Sequence, residues 1–297
     1  MSDNYVIFNP EGGLGKIIAS TAVLRNIKLK YPDYKIIVIS PWVEVFINNP
    51  HVHRVFKSGN HPYFYRDYLE GRESIVLKGE PYFSTEHLYS KQHLVESWCK
   101  LHDLPFDGIC QPELFYTPAE KATYANNLQS DKPILVMQTN GGPWDLEKTY
   151  SWTRDIPHEQ AQILVNELSK QYKILHITRP HCPALQGVER IDNVSNKRAF
   201  LSILLKSKKR LLIDSCMQHA AAAFGLPSTV LWVATSPNVF GYDIHTNFLP
   251  SKEKIETGSQ FVDSLFFDYD FNGPEHEYPY EDFAIFNLQQ VYESITK

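Results

Sequence analysis

A glycine-rich segment near the N-terminus, NPEGGLGK at residues 9–16, has residue types and spacing that could support chemistry. Its glycines, Gly12, Gly13 and Gly15, permit positive φ and close approach to the backbone, and a helix that starts here offers unpaired N–H groups. A P-loop would need glycine six residues before the lysine, where Pro10 stands, and the spacing G-x-G-x-x-G is also absent. The segment therefore predicts a loop that lines a ligand site but is neither a P-loop nor a dinucleotide-binding loop, or else only a tight turn.

A second segment with this potential is IDSCMQHAAAAFGLPSTVLWVATSP, residues 213–237. It predicts a strand, an Asp-Ser pair and a short helix of small residues, whose positive end suits a diphosphate. Asp214 and Ser215 would begin the helix, and His219 in its first turn could donate a hydrogen bond to phosphate. The alternative is that Asp214 and Ser215 only cap the helix and that His219 is a structural histidine.

Strands and helices must alternate to position both segments. Tyr5–Phe8, Ile36–Ile39 and Val52–Phe56 are predicted strands, separated by a helix over 16–30 and a short helix over 42–48. The same rhythm restarts at Ile134–Gln138 and continues with the predicted elements 158–172, 174–177, 196–206, 211–213, 217–224 and 229–233. In residues 61–115 the only helix predicted is 88–101.

This pattern predicts an α/β fold with two Rossmann-like domains facing each other across a cleft. We place the first domain at residues 1–130 and the second at residues 131–279. A last helix over 280–297 follows the second sheet, and we expect it to pack back on the first domain.

Composition restricts the class of protein. The 297 residues are 43% hydrophobic and 21% charged, and the net charge of −5 gives no electrostatic case for nucleic acid as the main partner. No apolar run is long enough to span a membrane, and the N-terminus lacks a signal-peptide pattern, so we expect a cytoplasmic protein. Four scattered cysteines predict reduced thiols.

The motifs resemble those of the heptosyltransferase family, glycosyltransferase family 9. Asp-Ser-x-x-x-His-Ala-Ala-Ala-x-Gly-x-Pro is similar to the family's donor-site motif, and the glycine loop followed by TAVLRNIKLKYP, KIIVIS and NNPHVHRVF is similar to its opening. The resemblance covers roughly residues 5–57 and 131–240. It implies the GT-B fold and a metal-independent, inverting transfer from a nucleotide sugar held mainly by the second domain. The donor-binding residues that it implies are Thr139, Asn140, Gly141, Asp214, Ser215, Cys216, Met217 and His219.

The chain departs from this family at one catalytic position. Gly15 is followed by Lys16, where the family has an aspartate taken as the general base. A lysine with an ordinary pKa of about 10.4 is protonated at neutral pH and cannot be the base. Glu11 is the nearest carboxylate and our first substitute, with Lys16 steadying negative charge; otherwise the base lies elsewhere, or little deprotonation is needed.

Other candidates come from position alone. Lys148, Arg154 and Arg179 lie near predicted loop ends of the second domain and could pair with a diphosphate, although a cation at such a position is more often a surface charge. Gly12, Gly13, Gly15, His87 and His93 are candidates for the acceptor side. We expect no metal site, because the one DxD pair, Asp268 and Asp270, follows the donor elements.

We therefore predict a glycosyltransferase acting on a hydroxyl-bearing acceptor such as a glycan, with no cofactor besides its nucleotide-sugar co-substrate. Two alternatives remain open. The acceptor could be a hydroxylated base in DNA, which keeps nucleic acid open as a partner. Alternatively, the chain could be a nucleotide-sugar-binding protein without catalysis, because Lys16 replaces the aspartate.

Overall fold

The structure, a computed structural model, describes residues 4–90, 92–125, 130–142, 147, 149–191, 196–251, 280 and 282–297. The chain divides into two compact units, Met1–Pro118 and Ala119–Lys297. From sequence the division was expected near residue 130.

The first unit is built on a parallel sheet. Its strands are β1 (Tyr5–Phe8), β2 (Lys35–Ser40), β3 (Val52–Lys57) and β4 (Ser74–Leu77), in the spatial order β3-β2-β1-β4. Its helices are α1 (Leu14–Lys30), α2 (Phe64–Tyr68), α3 (Thr85–Ser90) and α4 (Leu94–Leu101), with 3-10 turns at Val43–Phe46 and Pro81–Phe83. Because β1 and β4 are neighbouring parallel strands, the loops after them emerge side by side at the carboxyl edge.

The second unit repeats this plan with more strands. They are β5 (Ile134–Gln138), β6 (Lys173–Ile177), β7 (Glu189–Ile191), β8 (Lys209–Ile213), β9 (Thr229–Leu231) and β10 (Thr246–Phe248), all parallel, in the order β10-β9-β8-β5-β6-β7. Its helices are α5 (Pro118–Ala125, which starts at the division), α6 (His158–Leu168), α7 (Lys197–Lys206), α8 (Cys216–Ala223), α9 (Pro237–Phe240) and α10 (Leu288–Thr296). Two parallel α/β units confirm the predicted fold class.

Two sequence expectations about helices are corrected. The single helix expected over 88–101 is two helices, α3 and α4, because the imidazole of His93 accepts the N–H of Val95 and caps a new helix there. The last helix begins at Leu288 rather than at 280. Its buried apolar face, which carries Val291 and Ile295, joins the core of the second unit.

Candidate functional site

Three strands of the second sheet end next to one another. β5 lies between β8 and β6 and pairs in parallel with both. The residues that follow these strands, 139–141, 178–179 and 214–215, therefore share one carboxyl edge, where open α/β sheets bind ligands.

Buried hydrogen bonds fix the loop after β5 to the end of β6. The hydroxyl of Thr139 lies 2.7 Å from Nε2 of His176. Asn140 donates to the hydroxyl of Thr178 at 2.9 Å, and its Oδ1 accepts the backbone N–H of Arg179 at 2.8 Å. Two predicted donor residues, Thr139 and Asn140, are thus structural members of this edge.

Asp155, which sequence reasoning missed, organises the same loop. Its carboxylate accepts the backbone N–H groups of Gly141 at 3.1 Å and Ser151 at 2.8 Å, and it pairs with Nη2 of Arg179 at 2.8 Å. Burial raises the pKa of Asp155 to about 6, while Arg179 and the two N–H groups oppose the rise. Within the described ranges, Nη1 of Arg179 is buried without a hydrogen-bond partner, so this guanidinium group has one unused donor.

The turn after β8 approaches this loop closely. A Cβ atom on Gly141 would lie 3.4 Å from Oγ of Ser215, so the two loops are in van der Waals contact at this point. Ser215 is the N-cap residue of α8, but in the part of the chain described here its hydroxyl does not cap the helix and instead accepts Nε2 of Gln138 at 3.0 Å. The capping interpretation therefore does not explain Ser215.

Asp214 and Arg154 form the charged rim of this turn. Oδ2 of the buried Asp214 lies 3.8 Å from Nε of Arg154. Because Arg154 is partly exposed and Arg179 is buried, the two arginines offer positive charge at different depths of one edge. Lys148, the third predicted cation, lies outside the described residues.

The predicted residues on α8 face different surroundings. Cys216 is half-buried, and desolvation raises the pKa of its thiol to about 11, so it is neutral. Met217 is fully buried and can offer a ligand only its backbone. His219 is also buried, with Nδ1 2.7 Å from the hydroxyl of Tyr242, a partner that suits a structural histidine.

In the first unit, the glycine loop encloses the stem of Lys16. Gly12 has φ of 120°, and a Cβ there would lie 2.9 Å from Cδ of Lys16. Gly13 is the N-cap of α1, and Gly15 lies in its first turn. Lys16 is 8% exposed and forms an ion pair with Glu80, a residue that sequence reasoning missed.

Glu11, the base proposed from sequence, lies elsewhere on this loop. Its side chain is 58% exposed and pairs with the equally exposed Lys78 at 3.2 Å. Lys16 therefore forms its ion pair with Glu80, whereas Glu11 forms one with Lys78.

The two histidines expected on the acceptor side have structural environments. His87 is 2% exposed, and burial, reinforced by the charge of Lys16, lowers its pKa to about 4, so it is neutral at pH 7. His93 is the cap of α4 described above.

Within the described ranges, no group of three or more histidine, cysteine or acidic side chains is placed to hold a metal ion. Asp268 and Asp270 lie outside the described residues. No helix in these ranges combines the length and apolar character needed to cross a bilayer. All four cysteines are free thiols, as predicted.

Comparison with known proteins gives the fold. The sequence matches no protein-family model and no curated protein. Among solved structures, it is similar to ADP-heptose lipopolysaccharide heptosyltransferase II of E. coli, with a TM-score of 0.63, 15% identity, and coverage of 89% of this chain and 94% of that one. It is also similar to a family 9 glycosyltransferase of Veillonella parvula, with a TM-score of 0.62, 12% identity, and coverage of 97% and 95%.

A third similar structure is an iron-containing dodecameric glycosyltransferase of enterotoxigenic E. coli, with a TM-score of 0.61 and 12% identity over 87% of this chain and 66% of that one. Together with the two parallel α/β units, these similarities show that the chain has the fold of the heptosyltransferases, as the sequence motifs predicted.

Proposed function

We propose that this chain is a glycosyltransferase that moves a sugar from a nucleoside-diphosphate sugar to an acceptor hydroxyl. The observation that carries the proposal is the turn before α8. There the hydroxyl of Ser215 is not used as a cap, Gly141 lies beside it, and Arg154 and Arg179 supply positive charge. A helix N-terminus with convergent cations is suited to a diphosphate.

The proposed reaction is an in-line displacement with inversion. The acceptor oxygen bonds to the anomeric carbon as the bond from that carbon to the diphosphate breaks. The N–H groups at the start of α8 and the arginines stabilise the charge that develops on the leaving diphosphate. The glycine loop of the first unit would bind the acceptor.

ADP is the first nucleotide to test. The E. coli protein of similar fold is named for ADP-heptose, which makes ADP and ADP-heptose the first probes for this chain. UDP and GDP serve as the comparison, because the described contacts suit a diphosphate and do not distinguish one nucleobase from another.

Ser215→Glu is expected to weaken binding of the diphosphate at least tenfold, which corresponds to about 1.4 kcal/mol. The new carboxylate would lie at the start of α8, where the diphosphate would bind, and would repel it. Calorimetric titration with the tightest-binding of the three nucleotides measures the change.

The matched control is Ser130→Glu, which adds the same charge at an exposed position just before β5. It should bind the nucleotide as the wild type does. Equal affinity for Ser215→Glu and the wild type, with both proteins folded, would remove the proposed donor site.

Turnover is expected to persist in excess EDTA. Helix-end N–H groups and arginines take the role that a divalent cation has in other transferases. Release of nucleoside diphosphate is compared before and after chelation. Loss of release in EDTA, with recovery in manganese, would place the enzyme in the metal-dependent class.

A further inference from the structure

The first unit contains a partly buried ion pair that does not belong to the proposed donor site. Lys16 extends from the first turns of α1, and its ammonium group is hydrogen-bonded to Oε2 of Glu80 in the loop after β4. The same ammonium group lies 4.5 Å from the ring centroid of Tyr82 and 5.6 Å from that of Trp98. An ammonium group enclosed in this way has lost most of its water and depends on its carboxylate partner.

Lys16 itself is held in one place. Gly12 makes room for its methylene stem, and any side chain at that position would collide with it. Desolvation lowers the pKa of Lys16, and the hydrogen bond that Lys16 donates to Glu80 opposes that change. The lysine is therefore a fixed donor to Glu80 rather than a mobile surface charge.

Glu80 is fixed on one side and open on the other. Oε1 accepts the backbone N–H of Tyr82 at 3.2 Å, which caps the 3-10 turn Pro81–Phe83, and Oε2 accepts from Lys16. Its side chain is nevertheless 35% exposed. Each carboxylate oxygen can accept a second hydrogen bond, so capacity for a substrate proton remains.

The pair also lies where a ligand of this unit is expected. β1 and β4 are neighbours, with Phe8 opposite Leu77, so the glycine loop and the Glu80 loop leave the sheet side by side at its carboxyl edge. Parallel α/β sheets bind ligands at this edge. By contrast, the carboxylate of Glu11 pairs with Lys78 in solvent, with both side chains more than half exposed.

We propose that Glu80 is the general base of the transfer reaction and that Lys16 is the residue that positions it; this proposal rests on the glycosyltransferase function proposed above. The proton of the acceptor hydroxyl passes to the Glu80 carboxylate as the oxygen bonds to the anomeric carbon. The bond between that carbon and the diphosphate breaks, and its electron pair leaves with the nucleoside diphosphate. Protonated Glu80 then returns its proton to water.

The test uses the whole 297-residue chain with water as the acceptor, because a base that activates a hydroxyl also activates water. ADP-heptose is the first donor, and UDP- and GDP-sugars follow. Glu80→Gln keeps the shape of the side chain but cannot take a proton, so release of nucleoside diphosphate should fall by roughly 10²–10⁴-fold. The dissociation constant of the free nucleoside diphosphate should stay within about twofold, since the donor contacts lie in the second unit.

Two further glutamine variants make the comparison specific. Glu96→Gln removes a carboxylate that pairs with Lys100 along α4, and it should turn over as the wild type does. Glu11→Gln examines the rival base. Loss of activity in Glu11→Gln, with normal activity in Glu80→Gln, would overturn the proposal.

A purely structural role for Glu80 is separated by chemical rescue. In Glu80→Ala, added formate can occupy the vacated space and accept the proton, so release should recover in proportion to formate concentration. Formate should not restore Lys16→Met, because that variant retains the carboxylate but loses its positioning. Recovery in neither variant, or undiminished activity in Glu80→Gln, contradicts the assignment.

The same experiment distinguishes failure of the transferase function from failure of the assignment of Glu80 as the base. A wild-type chain that binds no nucleoside diphosphate and releases none from any donor refutes the transferase function, and the base assignment with it. A wild-type chain that turns over, with Glu80→Gln equally active, refutes only the base.

Discussion

Asp155→Ala is expected to lower the free energy of unfolding by about 3–5 kcal/mol, the usual cost of breaking a buried ion pair. Asp155 is 2% exposed, and its partner Arg179 is 3% exposed. Removing the carboxylate leaves a guanidinium group in a dry environment and releases the backbone N–H groups of Gly141 and Ser151. Urea denaturation at pH 7 measures the change.

The matched control is Asp131→Ala, an exposed aspartate of the same unit, for which a change within about 0.5 kcal/mol is expected. The double variant Asp155→Ala with Arg179→Met should lose less stability than the sum of the two single changes, because neither charge is then left alone. A loss below about 1 kcal/mol for Asp155→Ala would show that the pair does not organise the edge of the sheet.

Between pH 7 and pH 5, the free energy of unfolding is expected to fall by about 2 kcal/mol less in His176→Gln than in the wild type. His176 is 1% exposed, and burial, with Arg190 and His158 nearby, lowers its pKa to about 4. The folded state therefore keeps His176 neutral, while the unfolded chain takes up a proton below about pH 6.5. Stability from this residue is complete above that pH and is lost as the pH falls towards 4.

The comparison isolates one histidine. The pKa values of His87 and His245 are also lowered to about 4 by burial, but both residues are present in the wild type and in the variant, so their effects cancel. His181→Gln, at an exposed position, should keep the wild-type pH dependence. An unchanged pH dependence in His176→Gln would mean that this imidazole takes up its proton at the same pH in the folded and the unfolded chain.

The sequence predicted the elements that carry strong local patterns. Continuous apolar runs identified β1, β2 and β5, and the small-residue helix after Asp214 identified α8. Three strands gave no such pattern, namely β7 and β10, with three residues each, and the edge strand β4.

Because β4 was not predicted from the sequence, Glu80 was not identified as a candidate catalytic residue. Glu80 follows this strand, and its contact with Lys16 joins residues 64 positions apart in the chain. The pair between Asp155 and Arg179 spans 24 positions. Such contacts depend on which strand ends become neighbours, and that order follows from the packing of the whole sheet rather than from local spacing. Sequence reasoning therefore reached the nearest carboxylate along the chain, Glu11, rather than the one beside Lys16 in space.

The measurement that tests the central claim most directly is the release of nucleoside diphosphate from nucleotide sugars by the purified chain. ADP-heptose, UDP-sugars and GDP-sugars are incubated separately with the wild type and with Ser215→Glu, and the free diphosphate is quantified over time. We predict release from at least one donor by the wild type, and release reduced at least tenfold in Ser215→Glu at a donor concentration well below saturation. Binding of a nucleoside diphosphate without release from any donor would identify a binding protein instead, and neither binding nor release would contradict the assignment altogether.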